Sequence, residues 1–94
     1  MASVYILYSQ TLDRFYIGSC NDLNYRIEQH FNKEFAKSFT AKADDWVLYF
    51  SKDNLGYEQA RHIERHIKKM KSRAYLKNLT VYPEIFEKLM QKYI

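Results

Sequence analysis

Two short alternating segments near the start of the chain narrow the folds open to it. Val4, Ile6 and Tyr8 alternate with Tyr5 and Leu7, the period of two that marks a strand. Phe15 to Cys20 reads as a second strand. The stretch Gln10-Thr11-Leu12-Asp13-Arg14 between them is short and mostly polar, which predicts an antiparallel hairpin. Any register that puts Tyr5 and Tyr16 on one face also puts Leu7 and Gly18 there, and a slip of one residue separates the two phenols. The shared face is the expected arrangement.

The rest of the chain alternates helix and strand signals. Asn21 or Asp22 can cap a first helix with an apolar stripe of Leu23, Ile27 and Phe31. Asn32 to Asp45 is polar and basic and reads as loop with a helical turn. Trp46 to Phe50 is apolar throughout, which points to a central third strand, and Ser51 to Gly56 reads as a loop. A long helix follows with the stripe Ala60, Ile63, Ile67 and Met70. Ser72 can cap a short helix reaching Leu79, and Pro83 suits the first turn of a last helix carrying Ile85, Phe86, Leu89 and Met90. This order predicts an α+β fold, a small antiparallel sheet flanked by helices. Ninety-four residues with two Gly and one Pro leave room for one domain and no long linkers.

Charge and cysteine content bear on function class. Fifteen Lys/Arg against eleven Asp/Glu give a net charge of +4, which favours an anionic partner such as nucleic acid. Cys20 is the single cysteine, so neither an internal disulfide nor a structural zinc set is expected, and a reducing, cytoplasmic location follows. The opening residues lack a basic start and a long apolar run, so no signal peptide or membrane span is expected.

Several residues can carry chemistry. Arg26 and His30 stand at i and i+4, each preceding a residue of the apolar stripe, so they share the edge of a buried face. A guanidinium there can grip phosphate in bidentate fashion; the ordinary alternative is a snorkelling arginine beside a rim histidine. Glu64 lies on the shoulder of its helix stripe, where a carboxylate needs a partner or a task. It is either an i,i+4 partner of Lys68 or a metal ligand, and one carboxylate with substrate phosphates is enough for a single Mg²⁺ or Mn²⁺ ion, weakly held without substrate. Tyr5 and Tyr16 can be plain cross-strand aromatics in a chain of nine tyrosines, or they can move a proton. Gly18 marks a bulge or a close approach. Lys68, Lys69, Lys71, Arg73 and Lys77 form either a solvated surface or a phosphate track. His62 and His66 have the spacing of a metal pair but no evident third ligand, and read as surface residues.

Taken in order, these residues resemble the GIY-YIG nuclease superfamily, specifically its small single-domain members related to the nuclease domain of the UvrC repair protein. Tyr16-Ile17-Gly18 matches the second motif, and Ser3-Val4-Tyr5 occupies the first, keeping only the tyrosine. Arg26, His30 and Glu64 fit the family's helical motifs, and the likeness runs from about Val4 to Leu79, leaving 80–94 as a helical extension. The resemblance implies a three-stranded antiparallel sheet with the site across one face. It implies Glu64 as ligand of one divalent cation, Arg26 as phosphate clamp, Tyr5 or Tyr16 as general base and His30 as a hydrogen-bonding or relay group. Some relatives carry a lysine where Ser19 stands here, and others an asparagine beyond the glutamate, for which Asn78 is a candidate.

The leading expectation is therefore metal-dependent hydrolysis of DNA, duplex or branched, with RNA open. The alternative is a catalytically weak nucleic-acid-binding module on the same scaffold. A module that had lost catalysis would be expected to lose Arg26 or Glu64, and both are present.

Overall fold

The hairpin forms as the alternation predicts. In the computed structural model, residues 1–31 and 43–94 are described, with side chains for all of these except 30 and 31. Strand β1 (Ala2–Ser9) pairs antiparallel with β2 (Arg14–Cys20) across a turn in which Asp13 takes a left-handed φ of 51°. The register pairs Tyr5 with Gly18 and Leu7 with Tyr16, so both phenols stand on one face. Val4, Ile6, Ile17 and Ser19 take the other.

The sheet order is β2-β1-β3, which makes β1 the central strand and corrects the expectation for the third. Strand β3 is Trp46–Leu55, so the expected loop Ser51 to Gly56 is strand through Leu55. Its apolar start does not mark a centre. The pairing with β1 shifts between Ile6 and Leu7, and this bulge turns both Tyr49 and Phe50 toward the core while Val47 and Leu48 stay exposed. An edge strand needs hydrogen bonds on one side only, so Ser51 to Asn54 can continue it despite their polarity.

Helix α1 (Leu23–Phe31) begins where Asp22 Oδ1 accepts from the Tyr25 backbone N–H at 3.1 Å. Helix α2 (Tyr57–Met70) starts at Gly56, whose N–H donates to Gln59 Oε1 at 3.0 Å. Helix α3 (Arg73–Val81) is capped by Ser72, and α4 (Pro83–Lys92) opens on its proline. The sheet is covered unequally. Val4, Ile6, Leu55, Ala60, Ile63, Ile67, Leu76, Leu79, Phe86 and Leu89 form one core between the sheet and α2, α3 and α4. On the other face Tyr5, Leu7, Cys20, Ala43 and Trp46 form a second, with Leu12, Tyr16 and Leu23 against it. Met70, expected in the α2 stripe, is exposed, because the helix ends there and Lys71 turns the chain away through a left-handed φ of 46°. No helix among the described residues is long and apolar enough to cross a membrane.

Candidate active site

Tyr5 is fully buried in the central strand, and its ring runs across the neighbouring strand at Gly18. A Cβ at residue 18 would sit 2.5 Å from Tyr5 Oη and 2.6 Å from Cζ. Only glycine leaves that path open, so the close approach suggested by the sequence is one side chain lying over one backbone. The Tyr16 ring follows on the same face, half-buried, with its centroid 6.3 Å from that of Tyr5.

Arg26, on the second turn of α1, brings its guanidinium to the Tyr5 hydroxyl. Burial pushes the Tyr5 phenol well above its ordinary ionisation range, and the neighbouring Tyr16 phenol adds to this; the Arg26 charge and hydrogen bond pull it part of the way back. Burial also raises the Cys20 thiol, again with Arg26 opposing it. Tyr5 therefore keeps its proton at neutral pH.

Glu64 reaches the sheet from the other side. Its Oε1 accepts from Ser19 Oγ at 2.5 Å, and Ser19 pairs with Val4 on the face that α2 covers. Its Oε2 meets Lys68 Nζ at 2.6 Å, an i,i+4 ion pair whose side chains are 21% and 50% exposed, glutamate first. The convergence on one sheet face expected from the sequence is thus not what forms. Tyr5, Tyr16 and Arg26 gather on the α1 face and Glu64 on the α2 face, and the two groups approach β2, one of the two edge strands of the sheet, from opposite sides. A cleft of about 190 Å³ opens beside the end of that strand, with Ser19, Arg26, Tyr57 and Arg61 in its wall. Gly18 and Ser19 are the hinge of this arrangement, one residue serving each face.

Ser19, a minor candidate in the sequence, is the link to Glu64. Arg61 and Tyr57 were not legible as site residues, although Arg61 precedes Glu64 by three residues and so shares its side of the helix. His30 lies in α1, but its side chain is outside the described residues. The side chain of Phe31 and most of the expected helical turn in Asn32 to Asp45 also lie outside them.

The basic run does not form one track. Lys68 is held by Glu64. Arg73 is held by Asp13, with Nη1 to Oδ1 at 2.9 Å and Nη2 on the Asp13 carbonyl, and stacks 5.7 Å over Phe15. Lys71 lies near them in a groove with Arg14, Lys69 faces a different groove, and Lys77 and Asn78 are exposed on α3. His66 is half-buried with Nδ1 2.9 Å from Tyr93 Oη, so His62 and His66 flank a tyrosine. Among the described residues no three ligand-type side chains cluster as a ready-made metal centre.

The family model of the GIY-YIG catalytic domain matches residues 1–78 of this chain. No curated protein and no solved structure matches it.

Proposed function

The chain belongs to the GIY-YIG family, whose fold is of nuclease type, and on that premise we propose that it hydrolyses phosphodiester bonds of DNA with the help of one divalent cation. The observation that carries this reading is the pair Gly18-Ser19. Consecutive residues give passage to the Tyr5 ring on one face and bind the Glu64 carboxylate on the other. The Arg26 guanidinium and Ser19, the hydrogen-bond partner of Glu64, stand in the wall of one cleft.

The residues fit a single Mg²⁺ or Mn²⁺ ion. Glu64 is a half-buried carboxylate that would serve as the anionic ligand once the exposed Lys68 ammonium gives up its Oε2. Magnesium needs one or two carboxylates, with substrate phosphate oxygens and water completing its shell. When bound, the ion stabilises charge on the phosphate oxygens and the leaving oxygen.

Arg26 grips the scissile phosphate through its planar donors. Tyr5, buried and protonated, orients Arg26 and is a positioning residue. Tyr16, less buried than Tyr5, is the phenol assigned as base: in its ionised form, the phenolate oxygen takes the proton of the attacking water. Phenols ionise near pH 10, so a tyrosine base predicts a rate that climbs through the alkaline range. One observation favours the second reading, a catalytically weak nucleic-acid-binding module: Ser19 and Lys68 already occupy both oxygens of Glu64.

The test is cleavage of single-stranded, duplex, flapped and branched DNA with Mg²⁺ or Mn²⁺. Arg26→Ala and Glu64→Gln should each lower the rate by about 100-fold or more, with DNA binding by Glu64→Gln retained. Wild-type cutting together with a fully active Glu64→Gln protein would remove the carboxylate from the mechanism. A wild-type protein that binds but never cuts would establish the second reading.

A further inference from the structure

Outside the cleft, the outward side of α2 carries cations at intervals of four. Arg61, Arg65 and Lys69 follow one another there, with His62 beside them. At about 100° per residue they lie opposite the buried stripe of Ala60, Ile63 and Ile67. Three hollows run along this side and share residues in series. Arg61 belongs to the cleft that also holds Arg26. A second hollow lies between Arg61, His62 and Arg65. A third, of about 350 Å³, lies between Arg65, Lys69 and Lys92, with Tyr93 in its wall. The His66–Tyr93 contact ties the end of α4 to this side of α2, which is how Lys92 joins the stripe.

Among the described residues no carboxylate pairs with Arg65, Lys69 or Lys92, whereas Lys68 and Arg73 are both in ion pairs. Glu58 is the one carboxylate in the wall of any of the three hollows. Binding a polyanion along such a row of cations would release its counter-ions.

We propose that the phosphate backbone of duplex DNA, leaving the cleft, lies along this stripe from Arg61 to Lys92. The inference rests on the nuclease reading and replaces the track expected over Lys68 to Lys77. From Arg61 to Lys69 the helix rises about 12 Å, the length of three to four base-pair steps of roughly 3.4 Å. The stripe therefore contacts the first few nucleotides beyond the scissile position.

The experiment compares two triple variants that remove equal charge. One is Arg65→Ala/Lys69→Ala/Lys92→Ala; the other is Lys52→Ala/Lys71→Ala/Lys77→Ala. All six residues are exposed, and melting curves check that both variants fold. Binding of a labelled short duplex is followed through a salt titration with metal withheld. The first variant should bind about 10- to 100-fold more weakly at roughly 0.15 M salt, with its log–log salt slope shallower by about three. The second should stay near wild type. Equal losses in both variants, with wild type still cutting DNA, would overturn the stripe and leave the nuclease reading standing. A wild-type protein that neither binds nor cuts any DNA would overturn both. Tighter binding of an RNA duplex than of DNA would overturn the choice of DNA.

Discussion

The two faces of the sheet are built for different tasks. Toward α2, α3 and α4, eleven buried residues form a core with no polar side chain among them, so that face supplies apolar burial. Toward α1, the described core has five buried residues, and three of them, Tyr5, Cys20 and Trp46, carry a polar atom. Buried polar groups need partners and contribute less net stability than the same area of hydrocarbon. The contrast separates an all-apolar core from one that buries polar atoms. Glu64 spans both: its helix is anchored by Ile63 and Ile67, and its carboxylate reaches the outer strand.

Breaking the apolar face should cost most. Ile63→Ala removes a fully buried side chain from the centre of α2 and should lower stability by about 2–5 kcal/mol. For a chain this size that is a fall in melting temperature of some 10 °C or more, readable in one thermal scan. Such a variant should retain cleavage per folded molecule at low temperature.

The α1 face should behave in the opposite way. Tyr16→Phe should leave the melting temperature near wild type and lower cleavage by about 100-fold. Tyr5→Phe should cost less activity if, as proposed, Tyr5 only positions Arg26. Tyr5→Phe also carries a pH signature. The folded-state pKa of Tyr5 is raised, so the folded protein holds its proton more tightly and loses stability as pH rises above the unfolded value of about 10. Alkaline melting curves should show a shallower loss for Tyr5→Phe than for wild type. Equal cleavage losses in the two phenylalanine variants would erase the distinction between base and positioning phenol.

Gly18→Ala probes the strand between the faces. The added methyl meets the Tyr5 ring and should destabilise by about 1–3 kcal/mol, with cleavage lost as the ring moves off Arg26. A variant of normal stability and activity would show that the ring has room to shift.

The smallest effect is expected at the far end of the α1 face. Asp45 accepts from Ser9 Oγ at 2.5 Å and from the Thr11 backbone and hydroxyl at 2.8 and 2.9 Å, fixing the hairpin turn to the start of β3. These bonds, that of Ser9 foremost, lower its pKa to about 2. The unfolded value is near 3.9, so the contribution is present above about pH 4 and disappears as pH falls through about 2. Asp45→Asn should melt slightly below wild type at neutral pH, and the gap should close in acid.

The hairpin, its register and the order of the helices were legible in the sequence because each depends on local alternation, caps and turns. Asp22, Ser72 and Pro83 sit where their chemistry places them. What could not be read was set by tertiary placement. A bulge turned Tyr49 and Phe50 the same way, so the apolar run of β3 imitated a central strand. Helical periodicity placed Glu64 at the edge of a stripe, but nothing local says which sheet face that stripe covers. Of the cations that sequence proximity joined, Lys68 is tied to Glu64 on its own helix and Arg73 to Asp13 in the hairpin turn. Arg65, Lys69 and Lys92 come together only when α4 folds back on α2.

The strand order also sets a timetable. β1 meets β2 across a four-residue turn, but it meets β3 only after the 25 residues between Cys20 and Trp46 have closed into a loop. Hairpins form in about 1–10 μs, and loop closure grows costlier with length. The two phenols should therefore be assembled early. Glu64, on the helix that follows β3, should arrive last. A nascent or partly unfolded chain would then hold the tyrosines without the carboxylate, and on the proposed reading would cut no nucleic acid until α2 had docked.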